Sequence, residues 1–452
     1  MSFSDWPIQR IRTSREIKPT PKTRGLAQKK GSNPMDWYIV LIIIFGGLLA
    51  MLATGLPVAF CFLLLNIIGS YVLWGGVTGL AQMVHSVFTS VTTFTMLPVL
   101  MFVLMGEILF HSGLAFNAVK VVDKWLGKIP GRLCLVTIGA GTLFSSLSGS
   151  SMGTTAMLGT TMLPEMKRCG YRYSIIIGSC MSGGLAMIIP PSALAVVLAS
   201  ICQISVGKIL VGGIIPGLIL AGLYAAYIIG RCILDPSLAP RQDQSSESIT
   251  LKKKLVFTII HFLPLGVIIF LVVGLIFLGI ATPTESSALG ALASLLVAAG
   301  FKKLNKETIQ NIVSGTLNII AMMFMILAGS LAFSQILAYS GATAGLVEFT
   351  TTLPIHPIMV LLVMQGVILV LGTFMEPVAI MMISMPIFLP VVKNLGFSEI
   401  WFALITLISM EISMKTPPFG FLLFVMKAIV PAEVKMAKIY QATFPFILID
   451  ML

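Results

Sequence analysis

Apolar runs long enough to cross a lipid bilayer recur along the whole chain, and no other feature restricts its folding as strongly. The stretches WYIVLIIIFGGLLAMLAT (37–54) and LVFTIIHFLPLGVIIFLVVGLIFLGI (255–280) are the clearest of about ten. Each reaches or approaches the ~20 apolar residues needed to span ~30 Å of hydrocarbon. Only 10% of residues are charged, against about 25% in soluble domains, and the mean hydropathy is +1.01. This predicts an all-α polytopic membrane protein of about ten transmembrane helices.

The net charge of +12 divides simply: residues 1–34 hold eight Lys/Arg against two acids and the remainder 21 against 15, so each part contributes +6. The balance is therefore not read as nucleic-acid binding. Residues 1–34 are polar, contain proline and lack an apolar core, so they form neither a signal peptide nor a span. They are expected to be a disordered basic tail, with Met35 as the natural start. The six cysteines share no metal-type spacing and read as small buried hydrophobes.

Lys and Arg concentrate in residues 114–132, 165–172, 231–254, 302–306 and 427–438, whereas 75–95 and 338–356 carry none. An excess of Lys and Arg marks cytoplasmic loops. Both 114–132 and 165–172 should then face the cytoplasm, yet only the 32 residues 133–164 lie between them. That is too short for two full spans. A re-entrant hairpin with SSLSGSSMGTT (145–155) at its tip resolves the conflict, because irregular backbone at membrane depth is tolerated where it is buried in protein or lines a cavity.

The pattern then repeats with the opposite orientation. GTFMEPVAIMMISMPIFLP (372–390) has a Gly/Pro-interrupted tip between apolar arms, with flanks nearly free of Lys and Arg, which predicts a second hairpin, about 357–392, entering from outside. Pro57 and Pro283 are 226 residues apart, Gly149 and Gly372 are 223 apart, and Pro190–Pro191 and Pro417–Pro418 are 227 apart. Two inverted repeats follow, 35–233 and 255–452, joined by a cytoplasmic linker, 234–254. Each should contain three helices, a hairpin, a helix broken at a double proline and a final helix. Residues 114–132 and 338–356 would be amphipathic connectors. Inverted repeats with interrupted helices point to a secondary transporter with a midplane site.

Two prolines in succession open a helix and free carbonyl oxygens, and helix ends carry roughly half a charge. A hairpin tip beside a broken helix thus offers carbonyls and hydroxyls to a small cation, and helix N-termini to a carboxylate. None of the four interruptions contains Asp, which disfavours a divalent-cation cage. Small residues also pack membrane helices closely, and a single such cluster would be read that way. Two clusters, each followed about 43 residues later by a double proline, favour a pair of ion cradles.

The segments SLSGSSMGTTAMLG, IIPPSA, LGTFMEPVAIMMISMPIFLPV and TPPFG, in that order, resemble the large membrane (M) subunit of tripartite ATP-independent periplasmic (TRAP) transporters from Met35 onward. The resemblance implies a multi-pass permease of the bacterial inner membrane with an elevator-type fold. Its partners would be a small four-helix membrane subunit and an extracytoplasmic solute-binding protein. It would import an organic acid such as a C4-dicarboxylate by sodium symport, with sodium the coupling ion and no other cofactor. One sodium site would involve Ser148 and Ser150 with Ala186, Ile189 and Pro191. The other would involve Gly372 with Ser413, Thr416 and Phe419. Ser151, Thr154, Glu376 and Lys415 are the candidates for substrate contact.

Two features depart from that family. Lys415 precedes the TPP motif, where an uncharged residue is usual, and a lysine at membrane depth costs roughly 2.5–3.5 kcal/mol on insertion scales. It should have a partner. Glu411, one turn earlier, is placed for a structural pair; service to a substrate carboxylate, or replacement of a cation, is the alternative. Glu376 is open to two readings in the same way, as a pH-responsive group or as a helix N-terminal acid. The second departure is the last apolar stretch, 439–452, which is fourteen residues, about 21 Å as a helix. A truncated C-terminus is the expectation it raises. The four histidines show no mutual spacing, and Glu107 and Glu285 read as interfacial acids. A stand-alone ion-coupled dicarboxylate or oxyanion carrier is the nearest rival. An embedded enzyme is disfavoured by the lack of any nucleophile–base pair or metal set, and a passive channel by the paired cradles.

Overall fold

A computed structural model describes residues 36–92, 96–114, 121, 125, 129–148, 150–240, 251–352 and 354–452. The predicted tail 1–34, most of the connector 114–132 and the centre of the linker 234–254 lie outside these residues. Every regular element among the described residues is helical.

The first half runs α1 (Trp37–Ala53), α2 (Val58–Leu73), α3 (Val77–Thr92), α4 (Leu97–His111), α5 (Arg132–Ser148), α6 (Ser151–Arg168), α7 (Tyr173–Cys180), α8 (Ala193–Cys202) and α9 (Val206–Leu234). The second runs α10 (Leu251–Ile269), α11 (Pro283–Gly300), α12 (Lys306–Tyr339), α13 (Ala342–Thr352), α14 (Pro357–Gly372), α15 (Pro377–Asn394), α16 (Glu399–Lys415), α17 (Phe421–Ile429) and α18 (Met436–Asp450). α10 continues through a π-helical turn, Phe270–Gly274, to Phe277.

Three helices, α9, α12 and α15, are long and apolar enough to cross a membrane alone, and α3 with α4 qualify together across a bend of 51°. Most other apolar helices have 10–17 residues. α16 and α17 are separated at Pro417–Pro418, and α7 and α8 at Pro190–Pro191. The predicted arms of the two hairpins are two helices each, α5–α6 and α14–α15, and the members of each pair pack on one another.

Helix starts in the two halves recur at one offset. Ser150 and Glu376, the N-caps of α6 and α15, are 226 residues apart, as are Arg172 and Ser398, the N-caps of α7 and α16. The packing obeys the same exchange. α6 lies against α17 and its counterpart α15 against α8; α7 lies against α18 and its counterpart α16 against α9. The arrangement therefore has approximate two-fold character.

Two layers emerge. A frame of α1–α4 and α10–α12 is built on α4 against α11 and on α2, α3 and α4 against α12. Its tightest point joins the halves: Asn66 Nδ2 donates to the Gly329 carbonyl at 2.7 Å, and the Phe62 and Phe333 rings meet edge-on at 5.0 Å. The second layer is a core of the two hairpins, the two broken helices, α9 and α18. It buries almost all of residues 174–202 and 377–387.

Candidate functional site

α5 ends at Ser148 and α6 begins at Ser151. Ser150 caps α6 by accepting the Gly153 amide at 3.2 Å, which satisfies one of the donors every helix start leaves open. The neighbouring Ser151, buried, donates its hydroxyl to the Gly184 carbonyl at 3.1 Å. Thr154 and Thr155 follow on the same turn, both buried. The side chain of Ser148 lies outside the described residues.

Gly184 belongs to the break that the hairpin faces. α7 ends at Cys180, tightens into a 3₁₀ segment over Met181–Met187, and stops before Pro190–Pro191. Gly183 and Gly184 make that passage possible by close approach. A Cβ on Gly183 would lie 2.4 Å from Thr155 Oγ1, and one on Gly184 1.5 Å from Glu411 Oε1. Ser192 spans the break, donating to the Met187 carbonyl at 2.9 Å and accepting the Ala195 amide at 3.2 Å to cap α8. Ala186, Ile189 and Pro191 are all buried here.

The second set is brought together as directly. The Gly372 backbone presses on Ser413: a Cβ there would be 1.9 Å from Ser413 Oγ. Ser413 Oγ donates to the Met410 carbonyl at 2.7 Å, and Thr416 Oγ1 to that of Ile412 at 2.8 Å. The Gly420 amide returns to the Thr416 carbonyl at 3.1 Å, closing the turn around Pro417–Pro418. Glu376 is the N-cap of α15 but makes no side-chain capping bond. The two tips differ in chemistry. Where the first is hydroxylic, the second presents rings: Phe374 meets Phe419 at 5.5 Å, and Phe419, 50% exposed, stacks at 6.4 Å on Phe424.

Lys415 is the last residue of α16. Fully buried, its Nζ donates to Tyr224 Oη at 2.7 Å and to Asp450 Oδ2 at 3.0 Å, and sits 2.6 Å from Glu411 Oε1. Tyr224 in turn donates to Asp450 Oδ1. The i−4 partner Glu411 was visible in the sequence. Tyr224 and Asp450 were not, although a lone Asp in the last apolar helix was a signal that it needed one.

The remaining acids and thiols have local roles. Glu285 forms a capping box with Thr282 at the start of α11. Glu107 pairs with His111 at 3.1 Å and packs on Gly315 of α12. All six cysteines are buried and free. Among the described residues no three His, Cys, Asp or Glu side chains gather as a metal site.

Two helical layers, one of them built on paired broken helices, are the architecture of a membrane transporter. The crystal structure of the Alcanivorax borkumensis YdaH transporter has the same fold, with a TM-score of 0.63 over 87% of this chain and 95% of that one, at 13% identity. The chain belongs to the DctM component family of tripartite ATP-independent periplasmic transporters, whose model matches residues 45–452. It is 29% identical to the C4-dicarboxylate TRAP transporter large permease protein DctM of Pseudomonas aeruginosa, over 79% of this chain and 82% of that protein. It is 25% identical to the ectoine/5-hydroxyectoine TRAP transporter large permease protein UehC of Ruegeria pomeroyi, over 90% and 93%. These relatives are permeases, so the chain is a transport protein rather than an enzyme.

Proposed function

We propose that the protein is the ion-coupled permease of a three-part importer of the bacterial inner membrane, taking up an organic acid with sodium. A small four-helix subunit would pack on it, and an extracytoplasmic binding protein would deliver the substrate. The single observation that carries this reading is the pairing of each hairpin tip with a helix break, Ser151 on Gly184 and Gly372 on Ser413. The contacting residues Ser151, Gly184, Gly372 and Ser413 are themselves buried, and the oxygens gathered around them are neutral. A small monovalent cation suits such ligands.

In this reading Ser148 and Ser150 hold one sodium ion with the carbonyls of Ala186, Ile189 and Pro191. Gly372, Ser413, Thr416 and Phe419 hold the other. The substrate lies between the tips, its carboxylate toward Ser151 and Thr154 at the α6 N-terminus, which favours negative charge. Phe374 and Phe419 give its other side an apolar wall beside Glu376. Relatives are named for C4-dicarboxylates and for ectoine, and a small carboxylate such as a C4-dicarboxylate fits this division. The core would carry the site across the membrane against the frame, as an elevator.

Uptake into proteoliposomes containing the complete three-part system tests the proposal. Candidate carboxylates are offered with and without an inward sodium gradient. Accumulation should require both the gradient and the binding protein. Uptake indifferent to sodium would refute symport, and uptake without the binding protein would favour a stand-alone carrier.

A further inference from the structure

The frame carries a feature that contacts within the chain do not account for. α3 turns Gly79, Met83 and Ser86 inward. A Cβ on Gly79 would lie 2.1 Å from the Ser70 carbonyl oxygen, and Ser86 Oγ donates to Gln335 Oε1 of α12 at 2.6 Å. The opposite face is polar: Thr78, Gln82, His85, Thr89 and Thr92 are all exposed. They follow one another at steps of four, three, four and three residues, which places them in one stripe about 21 Å long.

α3 and α4 together are a candidate span, and polar side chains are costly where lipid surrounds them. The threonines meet part of that cost locally: Thr89 Oγ1 donates to the His85 carbonyl at 2.9 Å and Thr92 Oγ1 to that of Phe88 at 2.8 Å. The Gln82 amide and the His85 ring have no hydrogen-bond partner among the described residues. The neighbouring frame helices α1 and α2 instead expose side chains such as Ile42, Ile43, Ile67 and Ile68. α12, on which α3 packs, adds Ser314 and Asn318, four apart, to the exposed polar groups.

At its Thr78 end the stripe runs into a notch. Trp74, Thr78, Gly79, Gln82, Gln335 and Tyr339 line a cavity of about 380 Å³, and the Trp74 and Tyr339 rings in its wall meet edge-on at 6.5 Å. A repeat of roughly 3.5 residues is the seam along which two helices cross at about +20°, and Ser, Thr, Asn, Gln and His side chains hydrogen-bond across such seams in membranes. The notch decides between occupants. A second copy of this chain, related by an axis along the membrane normal, would set notch against notch and leave both unfilled. A helix of a different chain can seat a bulky side chain there.

We infer that the exposed polar face of α3 is the surface on which a transmembrane helix of the small membrane subunit packs, with Gln82 and His85 hydrogen-bonded across the seam and a large side chain of that helix in the Trp74–Tyr339 notch. The inference rests on the three-part reading above. The partner helix carries hydrogen-bonding residues at the same spacing of three and four, since an apolar helix would leave Gln82 and His85 no better served than lipid does.

Cross-linking in the co-expressed complex tests it. All six native cysteines are buried, so Gln82→Cys and Thr89→Cys can each be paired with a series of single cysteines placed along the helices of the small subunit. Both should cross-link to the same helix, at positions about seven residues apart. Affinity gives a second readout. Gln82→Leu and His85→Leu, both on the exposed face, should weaken association of the purified subunits about threefold singly and about tenfold together, with the unfolding midpoint of the purified permease unchanged. Thr78→Trp, which fills the notch from this side, should weaken association by more than about tenfold. Cross-linking of two permease copies through Gln82→Cys would overturn the inference, and so would leucine variants that bind the small subunit as tightly as wild type; either result leaves the three-part reading intact. A small subunit that does not associate with the wild-type permease at all would overturn that reading and the inference together.

Discussion

Gly372→Ala is the most direct probe of how the second tip meets its break. A Cβ at this position would stand 1.9 Å from Ser413 Oγ and 2.3 Å from Ser413 Cβ, where ordinary contact begins at 3.4 Å. Rotating the hydroxyl relieves only the first clash, because Ser413 Cβ is fixed to the α16 backbone. The C-terminal end of α14 and α16 must therefore separate by roughly 1 Å, at the typical overpacking cost of ~1–3 kcal/mol. The functional cost should exceed the structural one, since a misplacement of ~1 Å at a site of fixed geometry is worth about 10²-fold in rate. We expect a lower unfolding midpoint in detergent and a fall of roughly a hundredfold in sodium-driven uptake. Gly372→Ala combined with Ser413→Gly removes both clashing atoms and should recover the midpoint. Wild-type stability with uptake within twofold of normal would refute the close approach, and so would a double variant no more stable than the single one.

Three further outcomes follow from the same geometry. Gly184→Ala would drive a methyl group into Glu411; displacing that carboxylate from Lys415 breaks a buried ion pair, worth ~3–5 kcal/mol, so the purified variant should unfold much earlier than wild type, and an unchanged midpoint would contradict the packing. Asn66→Leu strands the buried Gly329 carbonyl that Asn66 Nδ2 now satisfies, at ~1–3 kcal/mol; because this contact lies in the frame, the midpoint should fall while half-saturating sodium stays put, and a change in sodium dependence would count against separating frame from core. Hydrogen bonds from Ser237 hold the Asp235 carboxyl, at the end of α9, below its usual pKa. A depressed folded pKa stabilises above the ordinary aspartate range and is lost as pH falls through the folded value, so exchange protection of the Ser237 amide should be full at neutral pH and disappear only well below about pH 4, whereas loss between pH 6 and 5 would be inconsistent with it.

The interruptions were legible in the sequence because their causes are local. Pro190–Pro191 and Pro417–Pro418 stop helices wherever they occur, and Ser150 and Ser192 are residue types that cap the next one. Among the described residues α5 spans Arg132–Ser148, α6 Ser151–Arg168, α14 Pro357–Gly372 and α15 Pro377–Asn394. The tightening of α7 into a 3₁₀ segment was not legible, since its cause is Glu411 and Thr155 pressing on Gly183 and Gly184 from other helices. The Glu107–His111 pair stands at helical i,i+4 spacing, a local signal that the spacing of the histidines among themselves does not carry.

The partners of Lys415 show what a repeat adds to such a reading. Asp450 is 35 positions from Lys415 and Tyr224 is 191 away, and no local pattern connects either to TPP. The repeat offset does connect them. In a chain whose halves are related by a two-fold exchange, positions i and i + 226 are the ones able to meet at the axis, and any polar residue there faces its own counterpart. Tyr224 and Asp450 form one such pair, and Gly184 and Glu411 form another within one position. The second also explains its own asymmetry: the axis leaves too little room for two long side chains, so a glycine in one half admits a glutamate from the other. At this position a glutamate in one repeat requires a glycine at the matching place in its partner, whereas Asp450 is matched by a tyrosine that donates to it. Adding a side chain at Gly184 should therefore be tolerated better once Glu411 is shortened, with Gly184→Ala combined with Glu411→Ala, which keeps the Lys415–Asp450 pair, more stable than Gly184→Ala alone.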